Sequence, residues 1–270
     1  MQTTRLSSDH QSSSHLSAII TGGGSGMGAA TARKLIDNGW NVTLFGRNLA
    51  KLEAMRDSLA QPERVVVVQG DVSQAADVER LVASHIESFG RLDGLVNSAG
   101  VPFGGAIETV SLEDWRASMA INVEGVFNTI QKSLPHLKEA GGAIVNVSSV
   151  SGLAGDWGFS PYNAAKGAVT NFTRSLALEL GSQGVRINAV APTLTESDMT
   201  SFVTEDDKVM AMFRNRIPLG RAAKAHEVAA AIYFLLSSEA SFINGVNLPV
   251  DGGVTASNGQ PNFAMSLETL

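Results

Sequence analysis

The chain has 270 residues, 44% of them hydrophobic, enough to bury the core of one large α/β domain. Its formal net charge of −6, with basic residues scattered rather than striped, argues against nucleic acid as a partner. There is no cysteine, the five histidines show no close ligand spacing, and the apolar run 229–236 is too short to cross a bilayer. Disulfides and thiolate metal ligation are excluded, no metal site is expected, and a cytoplasmic protein without membrane attachment is the expectation.

Residues 1–15 are polar, serine-rich and aperiodic, which reads as a mobile leader. The first strand, Ser17–Thr21, runs into the loop Thr21-Gly22-Gly23-Gly24-Ser25-Gly26-Met27-Gly28 and then a helix over Ala29–Asp37. Strand, glycine loop and helix in that order make a phosphate seat. Glycines let the backbone turn tightly, and the free amides at the helix start favour an anion. A dinucleotide is the expected ligand, although the spacing Gly22, Gly26, Gly28 is wider than G-x-G-x-x-G.

Further strands are expected at Asn41–Phe45, Val65–Gln69, Gly94–Asn97, Ala143–Ser148, Val185–Val190 and Val246–Val250. Helical spacing covers Asn48–Leu59, Ala75–Phe89, Leu112–Glu139, Pro161–Gly181 and Ala225–Leu236. Runs such as Val65-Val66-Val67-Val68 are apolar without alternation, as in a parallel sheet covered on both faces. The pattern predicts a doubly wound α/β fold: seven parallel strands, helices on both faces, one domain over 16–256 and a tail over 257–270. Thr193–Gly220 reads as a substrate lid or, alternatively, a long surface connection.

Tyr162 and Lys166 lie four residues apart early in a predicted helix and share a face. A nearby ammonium stabilises phenolate, so Lys166 is expected to lower the Tyr162 pKa towards neutrality. Together with the glycine loop, Asn97-Ser98-Ala99-Gly100, Asn122, Ser148-Ser149 and Asp251-Gly252-Gly253, this pair resembles the short-chain dehydrogenase/reductase family over about Ser17 to Gly253.

The resemblance implies a Rossmann fold and a catalytic tetrad of Asn122, Ser149, Tyr162 and Lys166. Tyr162 would be the acid or base of hydride transfer at a carbon–oxygen bond, and Ser149, thirteen residues before it, would hold the substrate oxygen. Lys166 would also bind the nicotinamide ribose. Asn122 would hold a helix bend and help anchor a water linked to Lys166. Gly22, Gly24, Ser25, Gly26, Met27 and Gly28 would cradle the pyrophosphate. Asp71 and Val72 resemble an adenine-contacting turn, with Asp71 equally readable as an N-cap. Asn97, Ala99 and Gly100 would run beside the cofactor, and Pro192, Thr193 and Thr195 would flank the carboxamide, although Thr193 replaces the family's usual glycine.

An NAD-preferring enzyme typically offers a carboxylate at the end of the second strand, where this chain has Gly46 followed by Arg47. A 2′-phosphate is not repelled there, and Arg47 can fork onto it, so NADP(H) is the preferred cofactor with NAD(H) as the alternative. Arg47 is also readable as a solvated residue, and Ser25 stands where many NADP-using relatives carry a basic residue.

Phe103, Leu153, Trp157, Phe159, Met199, Phe202, Met212 and Phe213 are candidate pocket walls for a hydrophobic ketone or alcohol, or else core packing. A homotetramer is implied by the resemblance. Three functional classes stay open: an NADP-dependent alcohol/ketone oxidoreductase, an NAD-dependent dehydrogenase of a polar substrate, and a non-catalytic nucleotide-binding regulator.

Overall fold

The structure, a computed structural model, describes residues 15–198 and 200–260. The expected leader up to residue 14, Met199, and the expected tail from residue 261 lie outside the described residues.

Seven strands, β1 (Ser17–Thr21), β2 (Asn41–Gly46), β3 (Val65–Gln69), β4 (Gly94–Asn97), β5 (Ala143–Val147), β6 (Arg186–Pro192) and β7 (Asn247–Val250), form one sheet in the order β3-β2-β1-β4-β5-β6-β7. Every pairing is parallel. The nine α-helices among the described residues are α1 (Gly26–Asp37), α2 (Leu49–Asp57), α3 (Ala75–Phe89), α4 (Leu112–Met119), α5 (Gly125–Ala140), α6 (Ser160–Leu180), α7 (Ser201–Thr204), α8 (Asp207–Arg216) and α9 (Ala225–Leu236).

Neighbouring residues on a strand point to opposite faces, and here both faces are dry. Ile20, Leu44, Val96 and Val145 pack with Leu35 and Ile36 of α1 and with Val228 and Ile232 of α9. Their neighbours Ile19, Phe45, Leu95 and Ile144 pack with Leu81 of α3, Ile130 of α5 and Val169 of α6. A continuously apolar strand therefore buries each side chain against a helix. At the edge strand β3 the cover thins: Val66 and Val67 are only half-buried.

The expected helix Leu112–Glu139 is interrupted. Between α4 and α5 the chain makes a π turn over Ala120–Glu124, in which the Gly125 amide reaches back five residues to Ala120 O. The segment after β6 carries α7 and α8.

Strand order reverses between β1 and β4, so the loops leaving those strands diverge and open a crevice. Thr21 Oγ1 sets the width at its base by accepting from the amides of Ser98 and Ala99, each at 3.1 Å. Among the described residues no helix is long and apolar enough to cross a membrane.

Candidate active site

Residues following β1, β4, β5 and β6 line a cavity of about 580 Å³. Gly22, Ser25, Gly26 and Met27 form its glycine-loop side. A Cβ on Gly28 would collide with the Gly22 carbonyl oxygen, and one on Gly22, at φ +68°, would lie 3.0 Å from Ala99 N. The loop is thus folded back on itself more tightly than side chains allow. Ser25 stands at the N-cap of α1 without a side-chain cap bond, and the first turn has no acidic residue. The helix's first amides and its positive dipole end are left free at the cavity, which fits a pyrophosphate.

Ser149, Tyr162 and Lys166 line the same cavity. Lys166, buried on α6, donates from Nζ to Val147 O at 2.8 Å and lies 5.6 Å from the Tyr162 ring centroid. An ammonium has three protons to donate, so further donors remain for ribose hydroxyls. Burial pulls the Lys166 pKa down to about 8. Ser149 Oγ accepts from Ser151 N at 3.1 Å. Ser148 has its hydroxyl committed to Thr170 Oγ1 at 2.7 Å and Lys166 O at 3.2 Å.

The expected lowering of the Tyr162 pKa is not what the site produces. Burial pushes the phenol up, the Ser149 hydroxyl pulls it partly back, and the charge of Asp156 pushes it up further. The physical reason is shared with Lys166: the pocket that holds both groups disfavours charge on either.

Asn122 stands behind the cavity at the π turn. Its Nδ2 donates to Val101 O at 3.0 Å and to Ser118 O at 3.1 Å, and its Oδ1 accepts from Val101 N at 3.2 Å. Taking up the Ser118 carbonyl competes with the regular helix ladder at this point, and such π insertions recur at functional sites. A Cβ on Gly100 would lie 2.9 Å from Asn122 Oδ1 and 3.5 Å from Lys166 Nζ, so the missing side chain leaves the gap between them open.

Ala99, Gly100, Pro192, Thr193 and Thr195 also line the cavity. Gly24, Gly28, Arg47, Asp71, Val72 and Asn97 do not. Gly24 packs beside Lys51 and Leu52, and Gly28 is buried. Arg47 is exposed, and its carbonyl accepts from Gln69 Nε2 at 2.9 Å. Asp71 Oδ1 accepts from Ser73 N and Ser73 Oγ, a local turn contact, while Val72 joins the core. Asn97 is buried, accepting from Thr129 Oγ1 at 2.7 Å and donating to Asn146 Oδ1 at 2.9 Å. It ties strands together beneath the site.

Of the expected pocket walls, Phe159, Phe202 and Phe213 line the cavity. Trp157 and Met212 do not; they are 87% and 72% exposed, because the turn around Gly158 and the outer face of α8 carry them into solvent. Phe103 and Leu153 are also absent from the lining, and Met199 lies outside the described residues. Sequence reasoning missed Ser151, Asp156, Ser197 and Thr200 of the lining. No periodicity or family motif marks them, since each depends on the path of a loop.

A family model described as enoyl-(acyl carrier protein) reductase matches residues 22–255. The chain belongs to the short-chain dehydrogenase/reductase family. Within this family it is 46% identical to a meso-2,3-butanediol dehydrogenase of Serratia marcescens, over 91% of this chain and 96% of that one. It is 36% identical to a 3-oxoacyl-(acyl-carrier-protein) reductase of Thermotoga maritima, over 87% and 96%. A solved actinorhodin polyketide ketoreductase with NADPH superposes with a TM-score of 0.86 at 32% identity, covering 90% of this chain and 98% of that one. As a short-chain dehydrogenase/reductase, the protein is an NAD(P)-dependent oxidoreductase that interconverts carbonyl and alcohol groups.

Proposed function

We propose that the protein is an NADP(H)-preferring dehydrogenase/reductase of a small secondary alcohol or ketone, with Tyr162 as its acid/base. The observation that carries this reading is the convergence of Tyr162, Ser149 and Lys166 with the glycine loop on one cavity. A bound nicotinamide would accept or supply the hydride.

The chain's own groups handle the oxygen. Ser149 hydrogen-bonds the substrate oxygen and holds it beside the phenol. Tyr162 takes the hydroxyl proton in oxidation and returns it in reduction. Lys166 orients the ribose and makes proton loss from the phenol easier when charged. Asn122 keeps Val101 and the π turn in register behind them. Phe159, Phe202, Val203 and Phe213 suit an apolar carbon skeleton, and the name of the Serratia relative favours a small one. For the cofactor, Gly46 presents no carboxylate and Arg47 is free to meet a 2′-phosphate.

A homotetramer belongs to the same reading. Exposed Leu112, Phe127 and Leu178 on the α4–α6 side, and exposed Phe242 near β7, are apolar surface that a second copy would cover.

The test is nicotinamide absorbance with a panel of ketones and alcohols. Tyr162→Phe is expected to cut turnover roughly 10²- to 10⁴-fold while cofactor titration stays within about twofold. Turnover near wild type in this variant would refute the assignment.

A further inference from the structure

Among the described residues, Thr193 is the one that lines both the active-site cavity and a second, smaller cavity. The second cavity, of about 250 Å³, lies against the end of β7 and the turn after α8, with Ile217, Leu219, Ala223, Pro249 and Val250 in its lining. Its charged groups are already engaged with one another or with the backbone. Arg221 forks onto Glu227 with two hydrogen bonds of 2.7 Å, and Glu227 also accepts from Lys224 N at 2.8 Å. Asp251 accepts from Gly253 N at 2.9 Å, Thr255 N at 2.8 Å and Thr255 Oγ1 at 2.6 Å. With the pair neutral and the Asp251 carboxylate holding three donors, the space favours an uncharged alkyl chain over an ion.

Thr193 also stands beside the chemistry. Ser149 Oγ donates to Pro192 O at 3.5 Å, and that carbonyl belongs to the peptide bond joining Pro192 to Thr193. Thr193 O accepts from Thr195 Oγ1 at 3.0 Å, which fixes the residue from its other side. Among the described residues only glycines have positive φ, so threonine keeps an ordinary backbone conformation here. Glycine in its place would remove the side chain and loosen the backbone together, whereas alanine removes only the atoms beyond Cβ.

We infer that the Thr193 side chain is a specificity-determining partition that closes the active-site cavity off from the second one and keeps one of the two groups on the reacting carbon short. This rests on the oxidoreductase reading above and adds the shape of the substrate to it. The preferred ketones carry one short and one longer group, with the longer directed towards Phe202 and Phe213. Shrinking residue 193 joins the two cavities and lets a longer second group pass into the space beside Ile217 and Val250.

The experiment measures kcat/KM for two ketones of equal carbon count, 2-heptanone and 4-heptanone, with NADPH and with NADH. It compares wild type with Thr193→Ala, Thr193→Ser and Thr193→Val, and follows binding of the reduced nucleotide by its fluorescence. Wild type is expected to prefer 2-heptanone roughly tenfold or more, the scale on which an apolar pocket discriminates single methylenes. Thr193→Ala should bring that ratio down about tenfold by raising kcat/KM for 4-heptanone, with Thr193→Ser in between. Thr193→Val has the shape of threonine without the hydroxyl and should keep the wild-type ratio. A ratio unaltered in both Thr193→Ala and Thr193→Ser overturns the inference and leaves the oxidoreductase reading standing. An equal fall of the ratio in Thr193→Val overturns it by assigning the effect to the hydroxyl, and a wild type without preference for 2-heptanone overturns it as well. Loss of nucleotide binding in Thr193→Ala and Thr193→Ser also overturns it, since residue 193 then serves the nucleotide and not the substrate. If wild type turns over neither ketone, nor any alcohol or ketone of the wider panel, with either nucleotide, the reading beneath it fails too.

Discussion

Lys51 Nζ and Asp198 Oδ2 meet at 2.7 Å, joining the first turn of α2 to the segment that follows β6. The adjoining Ser197 leans on the glycine loop, its Cβ lying 3.4 Å from where a Cβ on Gly26 would stand. The segment after β6 thus closes over the start of α1, and the ion pair fastens its edge. Both partners are well exposed, at 51% and 75% of their side chains, so solvent screening leaves the pair a weak fastening.

Asp198→Asn is therefore expected to speed nucleotide release by no more than about fivefold. Stopped-flow displacement of NADPH at low and high salt checks it: the difference from wild type should shrink as salt screens the pair. An undiminished difference at high salt would show that the contact acts through shape rather than charge.

Lys166 is held charged in a buried place, at a cost to the fold. Its pKa is about 8 in the folded chain against an ordinary 10.5, so between those values the unfolded chain binds more protons and stability rises with pH. Lys166→Met removes this penalty. It is expected to stabilise the protein by on the order of 2 kcal/mol near neutral pH while turnover collapses. Urea unfolding beside steady-state kinetics measures both; a large loss of stability would contradict the account.

Gly46 ends β2 with space for a side chain, since a Cβ there would find Leu52 Cδ2 at an ordinary 3.6 Å. Gly46→Asp should fold normally and place a carboxylate where a 2′-phosphate would come. The ratio of kcat/KM for NADP over NAD should fall by roughly tenfold or more, about 1.4 kcal/mol. An unchanged ratio would remove Gly46 and Arg47 from the cofactor argument.

His85 gives the fold an acid limit. Thr43 Oγ1 lies 2.7 Å from its Nδ1, and Ser17 Oγ and Arg91 O lie near its Nε2. Burial lowers its pKa to about 4, with hydrogen bonding to Arg91 and the charge of Asp93 opposing that fall. The unfolded chain takes up this proton near the ordinary 6.5, so the contribution is complete above about pH 6.5 and is lost as pH falls towards 4. Up to about 3 kcal/mol is at stake. His85→Gln should flatten unfolding free energy against pH in that window, and an unchanged slope would assign the acid loss elsewhere.

The sheet and its helices were legible because their signals are local. Val65 to Val68 is apolar without a break whatever lies elsewhere, and the strand–glycine–helix order around Gly22 to Gly28 needs only its own residues. Family motifs then marked Ser149, Tyr162 and Lys166, which the fold gathers on one cavity. Helical spacing alone ran Leu112–Glu139 as one helix, and only the resemblance marked a bend at Asn122, because the π turn there depends on its side chain reaching Val101 in the loop after β4. Trp157 and Asp156 are neighbours in one loop, yet the first points to solvent and the second lines the cavity.

What the amino-acid order determined by itself was therefore the parallel sheet and the strand–glycine–helix turn, each encoded over a few residues, while the family motifs singled out Ser149, Tyr162 and Lys166 as the candidate catalytic side chains. Tertiary structure alone decided which loop residues line the cavity, how the segment after β6 fastens over the glycine loop, and that burial dominates the Tyr162 phenol. Those properties arise from distances between segments far apart in the chain, and long-range packing sets such distances.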